Sequence, residues 1–104
     1  MNYYILDDQG NPVPEPDVLK WGKWFENNTD KRRVAFDRIG NVQVSTVFLG
    51  LDHNWGEGPP LLYETMVFYT PRRQGFDIYR YATRDEALAG HERAKSIVGN
   101  TLTS

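Results

Sequence analysis

The stretch VQVSTVFLGLDHNWGEGPPLLYETMVFY, Val42 to Tyr69, decides how the rest of the chain is read. Two runs, Val42 to Leu49 and Leu61 to Tyr69, are rich in Val, Thr, Phe, Tyr and Leu, residues that fit a pleated, half-buried surface. Between them lies a loop, Leu51 to Pro60, whose Gly, Pro and Asn supply the dihedrals that turns need. Four consecutive loop residues, Asp52-His53-Asn54-Trp55, place an acid, an imidazole, an amide and an indole side by side. A strand–loop–strand unit of this kind predicts a sheet protein with its candidate site on the connecting loop.

Outward from that unit, Arg33 to Arg38 reads as a strand that turns at Ile39-Gly40-Asn41 into the first central strand. Asn2 to Leu6 is a short strand, followed by a turn at Asp7 to Asn11. The prolines of Pro12-Val13-Pro14-Glu15-Pro16 exclude a continuous helix but suit a helix start. Helix one is expected from about Pro16 to Glu26, with Val18, Trp21 and Phe25 on its stripe and Trp24 at the edge. Gly22 weakens that helix, and close approach to the sheet would explain it. Phe76 to Tyr81 is a last strand after the loop Thr70 to Gly75. Thr83-Arg84-Asp85-Glu86 is a capping box. It opens helix two, whose inward stripe is Ala87, His91, Ala94 and Val98, with Gly99 as its left-handed cap.

The element order β-α-β-β-β-β-α defines an α+β fold: a four- to five-stranded, mainly antiparallel sheet with two helices on one face. Residues 1–99 form one domain, the size expected for 104 residues, and 100–104 a frayed tail. The strand at Leu61 to Tyr69 is apolar on both faces, one carrying Leu62, Glu64, Met66 and Phe68, the other Tyr63, Thr65, Val67 and Tyr69. If the helices leave the Val67 and Tyr69 face open, a second subunit could cover it, so a homodimer is expected.

With 14 acids against 12 bases the formal charge is −2, and no basic stripe suits a phosphate backbone. Single-strand stacking on Tyr63, Tyr69 and Tyr79 is the one nucleic-acid alternative, and the acidic balance argues against it. The absence of cysteine excludes disulfides, thiolate metal sites and thiol nucleophiles. Met1-Asn2-Tyr3-Tyr4 lacks the basic and apolar regions of a signal peptide, and no apolar run approaches a membrane span. A cytoplasmic location is expected.

The segments Val44 to His53 and Gly58 to Phe68 resemble a family of small, functionally uncharacterised proteins of bacteriophages, prophages and bacteria. Arg33 to Asp37 and Thr83 to His91 fit the same pattern. The resemblance spans roughly the last two-thirds of the chain. It departs at Tyr69-Thr70-Pro71-Arg72-Arg73, where the family pattern has a glycine-rich connector. It implies an accessory or host-interaction role in a host cytoplasm and brings no activity or cofactor.

Two functions follow. The first is a non-enzymatic accessory protein that binds another protein through Asp52, His53, Asn54, Trp55 and Glu57, with Trp55 as anchor. The second is a small metal-dependent hydrolase or nuclease. Its metal ligands would be Asp52, His53 and His91, with Glu64 and His91 in acid–base roles. Against the second stand the small supply of two histidines and a spacing that matches no zinc signature. Asp52 and Asn54 have a plain alternative as turn caps, His91 as a satisfied core histidine, and Glu64 as the partner of Arg33, Arg38 or Arg80. No nucleophile elbow or phosphate-cradling loop is present.

Overall fold

A computed structural model describes residues 2–54, 56–69 and 76–103. Four strands, β3 (Arg33–Ile39), β4 (Val42–Phe48), β5 (Tyr63–Tyr69) and β6 (Phe76–Tyr81), form an antiparallel meander in the order β3-β4-β5-β6. Strict alternation sets its faces. Along β4, Val42, Val44, Thr46 and Phe48 are buried while Gln43, Ser45 and Val47 are half-buried. The β3–β4 hairpin closes on Gly40-Asn41 with Ile39 opposite Val42. Gly40 has φ +59° and Asn41 does not enter the left-handed region, the pattern of a turn with glycine at its first central position.

Helix α3 (Arg84–Thr103) lies across all four strands. Its N-terminus carries the Thr83 half of the expected capping box: the Glu86 N–H donates to Thr83 Oγ1 at 3.1 Å, and the Glu86 carboxylate reaches back to accept from that hydroxyl at 3.0 Å. Ala87, Gly90, His91, Ala94 and Val98 are buried against the sheet. Small residues let the helix approach closely; a Cβ on Gly90 would overlap the hydroxyl end of the Tyr81 side chain. The helix runs through Gly99 to Thr103, so Gly99 is a helical residue and not a cap.

The core has two parts. Val42, Val44 and Val67 pack under Ala94 and Val98. Phe48, Leu62, Tyr63 and Tyr81 pack with Ala87, and Tyr4, Leu6, Trp24 and Val34 close around them. Each large apolar side chain buried here contributes about 1.5–3 kcal/mol.

The first strand does not join the main sheet. β1 (Tyr4–Leu6) pairs with β2 (Pro12–Pro14) in a separate two-stranded ribbon. Pro12–Pro14 is therefore a strand, its prolines tolerated because a peripheral strand needs few N–H donors, and the helix expected from about Pro16 follows it. Helix α1 (Val18–Asn27) begins later, capped by Asp17 Oδ1, which accepts from the N–H groups of Leu19 and Lys20 at 3.0 and 3.3 Å. Its Trp21 indole N–H donates to Tyr4 O at 3.1 Å and Gly50 O at 3.0 Å. Trp24 meets Phe48 edge-on at 6.0 Å, so α1 reaches the same sheet face as α3. Val18, placed on the stripe by its spacing, is exposed instead. Gly22 meets nothing within 4 Å, so close approach does not explain it. A single turn, α2 (Thr29–Arg32), leads into β3. Among the described residues no helix is long and apolar enough to cross a membrane.

Candidate functional site

The loop between β4 and β5 is built by its own side chains. Asp52 Oδ1 accepts from the N–H groups of Asn54 at 2.8 Å and Leu61 at 3.1 Å. Asn54 Oδ1 accepts from Gly56 N–H at 3.0 Å, and its Nδ2 donates to the carbonyls of Pro59 at 2.9 Å and Glu57 at 3.2 Å. Both residues thus hold the loop closed, the cap role open to Asp and Asn in turns. His53 is half-buried and Glu57 exposed. Trp55, the expected anchor, lies outside the described residues.

His91 stands far from that loop in purpose. It is 1% exposed, and both ring nitrogens are engaged. Nδ1 lies 2.7 Å from Thr46 Oγ1, which lies 2.6 Å from Thr65 Oγ1. Nε2 lies 2.8 Å from Asp37 Oδ2, and Lys95 Nζ stands 3.4 Å from the same oxygen. A carboxylate only accepts, so Nε2 carries the hydrogen. With the imidazole neutral, Thr46 donates to Nδ1 and Thr65 to Thr46, and every hydrogen in the line is used.

The line runs from a sealed interior at Thr65 to a half-exposed carboxylate at Asp37. The His91 hydrogen bond holds the Asp37 carboxyl below the usual range against the effect of desolvation, and Lys95 adds to it. Desolvation pulls Lys95 down, but the Asp37 and Glu92 carboxylates outweigh it and hold the ammonium above its usual range.

A hydroxyl, an imidazole and a carboxylate in hydrogen-bond sequence have the composition of a nucleophilic triad. Here the hydroxyl end is the closed end. Thr46 is 0% exposed beneath α3, so no substrate carbonyl reaches it. The assembly is a structural network that fixes α3 over β3, β4 and β5. Asp52, His53 and His91 do not gather: among the described residues no three His, Cys, Asp or Glu side chains are placed to share a metal ion.

Glu64 has the plain partner. It faces Arg80 across the β5–β6 pair, with Nε 3.6 Å from Oε1. Both lie on the sheet face away from α3. The helices have taken the Tyr63, Thr65, Val67 and Tyr69 face, so the open face is the one bearing Glu64, Met66 and Phe68, the reverse of the expectation. Of the three tyrosines of the stacking alternative, Tyr63 is 1% exposed and Tyr69 half-buried on the helix side, while Tyr79 at the edge strand is 43% exposed. On the open face, Phe36, Ser45, Met66 and Ile78 form one row across the four strands. Phe36 is 47% and Ile78 39% exposed.

The sequence reading missed Thr46, Thr65 and Asp37 as partners of His91. Their only signal was two threonines at inward positions of otherwise apolar strands. No protein-family model, no curated protein and no solved structure matches the chain.

Proposed function

We propose that the protein is a non-enzymatic, phage-type accessory protein that acts through protein–protein binding, as a homodimer whose subunits meet through the open face of the sheet. The observation that carries this reading is the Phe36–Ser45–Met66–Ile78 row, apolar at both edge strands and, among the described residues, uncovered by any helix. An exposed apolar face of this kind marks an interaction surface. A two-fold axis parallel to the strands would seat Phe36 of one copy over Ile78 of the other and Ser45 over Met66, in the aligned mode of packed sheets. The phage-type assignment rests on the resemblance of Val44 to His53 and Gly58 to Phe68. The non-enzymatic assignment is supported by the closed hydroxyl end of the His91 network.

Sedimentation velocity from about 1 to 100 µM, a range that brackets micromolar association, tests it. A concentration-dependent dimer is expected, converted to a monomer of unchanged fold by Phe36→Asp or Ile78→Asp. A wild-type monomer throughout, or a dimer indifferent to both substitutions, overturns the homodimer.

A further inference from the structure

At the opposite side of the sheet, the β1–β2 turn, the start of β3 and the N-terminus of α3 line a solvent-open cleft of about 680 Å³. That volume is in the range of small-molecule sites. Tyr63 forms part of its lining. The residue is 1% exposed, and its hydroxyl oxygen is buried with no hydrogen-bond partner among the described residues. Buried hydroxyls almost always have a partner, and phenylalanine would fill the same space without the cost.

Three cations, Lys31, Arg33 and Arg84, line the same cleft, and none forms an ion pair among the described residues; the Arg33 guanidinium stands 5.9 Å from the centre of the Phe36 ring, which lies on the open face. Of the carboxylates there, Asp7 is engaged by the N–H groups of Gln9 and Asn11 at 2.9 and 2.8 Å. Asp85 sits in the first turn of α3, where it answers the helix dipole, and Asp8 is exposed. Burial raises the Tyr63 hydroxyl pKa, with Arg84 opposing it, so the hydroxyl stays a donor. The first amides of the twenty-residue helix α3 face the same end, where anions are favoured. Leu6 and Val34 supply an apolar wall.

The geometry points to a binding site for a small organic anion, carboxylate or phosphate, whose charged group is held by Tyr63 Oη–H and Arg84 and whose apolar body rests on Leu6 and Val34. The site does not depend on the homodimer, since it lies on the helix side.

Amide chemical-shift titration of the full chain with phenyl phosphate and with benzoate tests it, with benzyl alcohol and inorganic phosphate as controls. Saturable shifts at residues 33–34 and 83–85 are expected from at least one aromatic anion, at concentrations up to about 10 mM, where a millimolar site fills. Tyr63→Phe should melt no lower than wild type yet bind about tenfold more weakly, the loss of one hydrogen bond to a charged group. Arg84→Gln, at an exposed position, should weaken binding at least as much. Absence of shifts from both aromatic anions overturns the site. So does equal binding by benzyl alcohol, equal shifts from inorganic phosphate alone, or wild-type affinity in Tyr63→Phe.

Discussion

Nε2 of His91, midway along α3, lies 2.8 Å from Oδ2 of Asp37 on the edge strand β3. One bond thus ties the helix to the rim of the sheet, and it continues inward through Thr46 to Thr65. The network crosses three strands and one helix, so its integrity reports on how the whole layer is assembled.

The Asp37 carboxyl is held below its ordinary value, first by the His91 hydrogen bond. Between the folded value and the unfolded one, near 3.9, the unfolded chain binds more protons, so stability rises with pH there. The contribution is complete above the unfolded value and is lost as pH falls through the folded one. Asp37→Asn removes this linkage while keeping an acceptor for Nε2–H. Its urea midpoint should lie below wild type at neutral pH and fall less steeply below about pH 4. Parallel acid limbs would refute the assignment. Lys95, held above its ordinary value, adds stability that persists below about 10.4 and fades as pH rises through its folded value.

The order of the hydroxyls makes a second prediction. Thr46→Val removes the middle of the line and leaves both His91 Nδ1 and Thr65 without a partner, which should cost about 1–3 kcal/mol. Thr65→Val removes only the end, and Thr46 keeps its bond to His91, so the cost should be below about 1.5 kcal/mol. The two changes should be strongly non-additive in a double-mutant cycle. Equal and additive losses by denaturant unfolding would break the line into independent bonds.

Two helical glycines should respond with opposite signs. Gly22 in α1 has open space where a Cβ would stand, so Gly22→Ala should stabilise the protein by up to about 1 kcal/mol. Gly90 in α3 abuts the buried Tyr81 ring, and Gly90→Ala should destabilise by about 1–3 kcal/mol through overpacking, despite better helix propensity. Thermal melts of the two variants decide it; a stabilised Gly90→Ala would mean that Tyr81 yields easily.

Much of this layer was legible because strand alternation and helix spacing are local. Val42, Val44 and Phe48, and Ala87, His91, Ala94 and Val98, point inward as their periods require. What was not legible is long-range. Both faces of β5 are apolar, so its pattern could not say which one α3 would take. His91 meets Thr46 and Asp37 across 45 and 54 residues, a matter of register between elements. Pro12-Val13-Pro14 reads in the sequence only as non-helical, and its pairing with β1 is set by contacts that spacing does not reveal. The turn-cap role of Asp52 and Asn54 is legible in the sequence, but Leu61 N–H, nine residues beyond Asp52, is a donor that only the closed loop reveals.

Trp21 makes the last prediction, because its indole N–H is shared between Tyr4 O and Gly50 O and so fastens α1 and the β1–β2 ribbon to the end of β4. Gly50 is suited to that approach: its φ is +73°, and a Cβ would stand 3.1 Å from the indole nitrogen. Trp21→Phe keeps an aromatic ring near Tyr3 and Phe25 but removes the donor. The global loss should be about 0.5–1.5 kcal/mol, the worth of one net hydrogen bond. The larger effect should be local. Native-state hydrogen exchange should show the amides of β1 and β2 opening faster, while those of β4 and β5 keep protection close to the global limit. Uniform loss across the sheet would mean that the ribbon and the meander unfold as one unit and that Trp21 belongs to the main core.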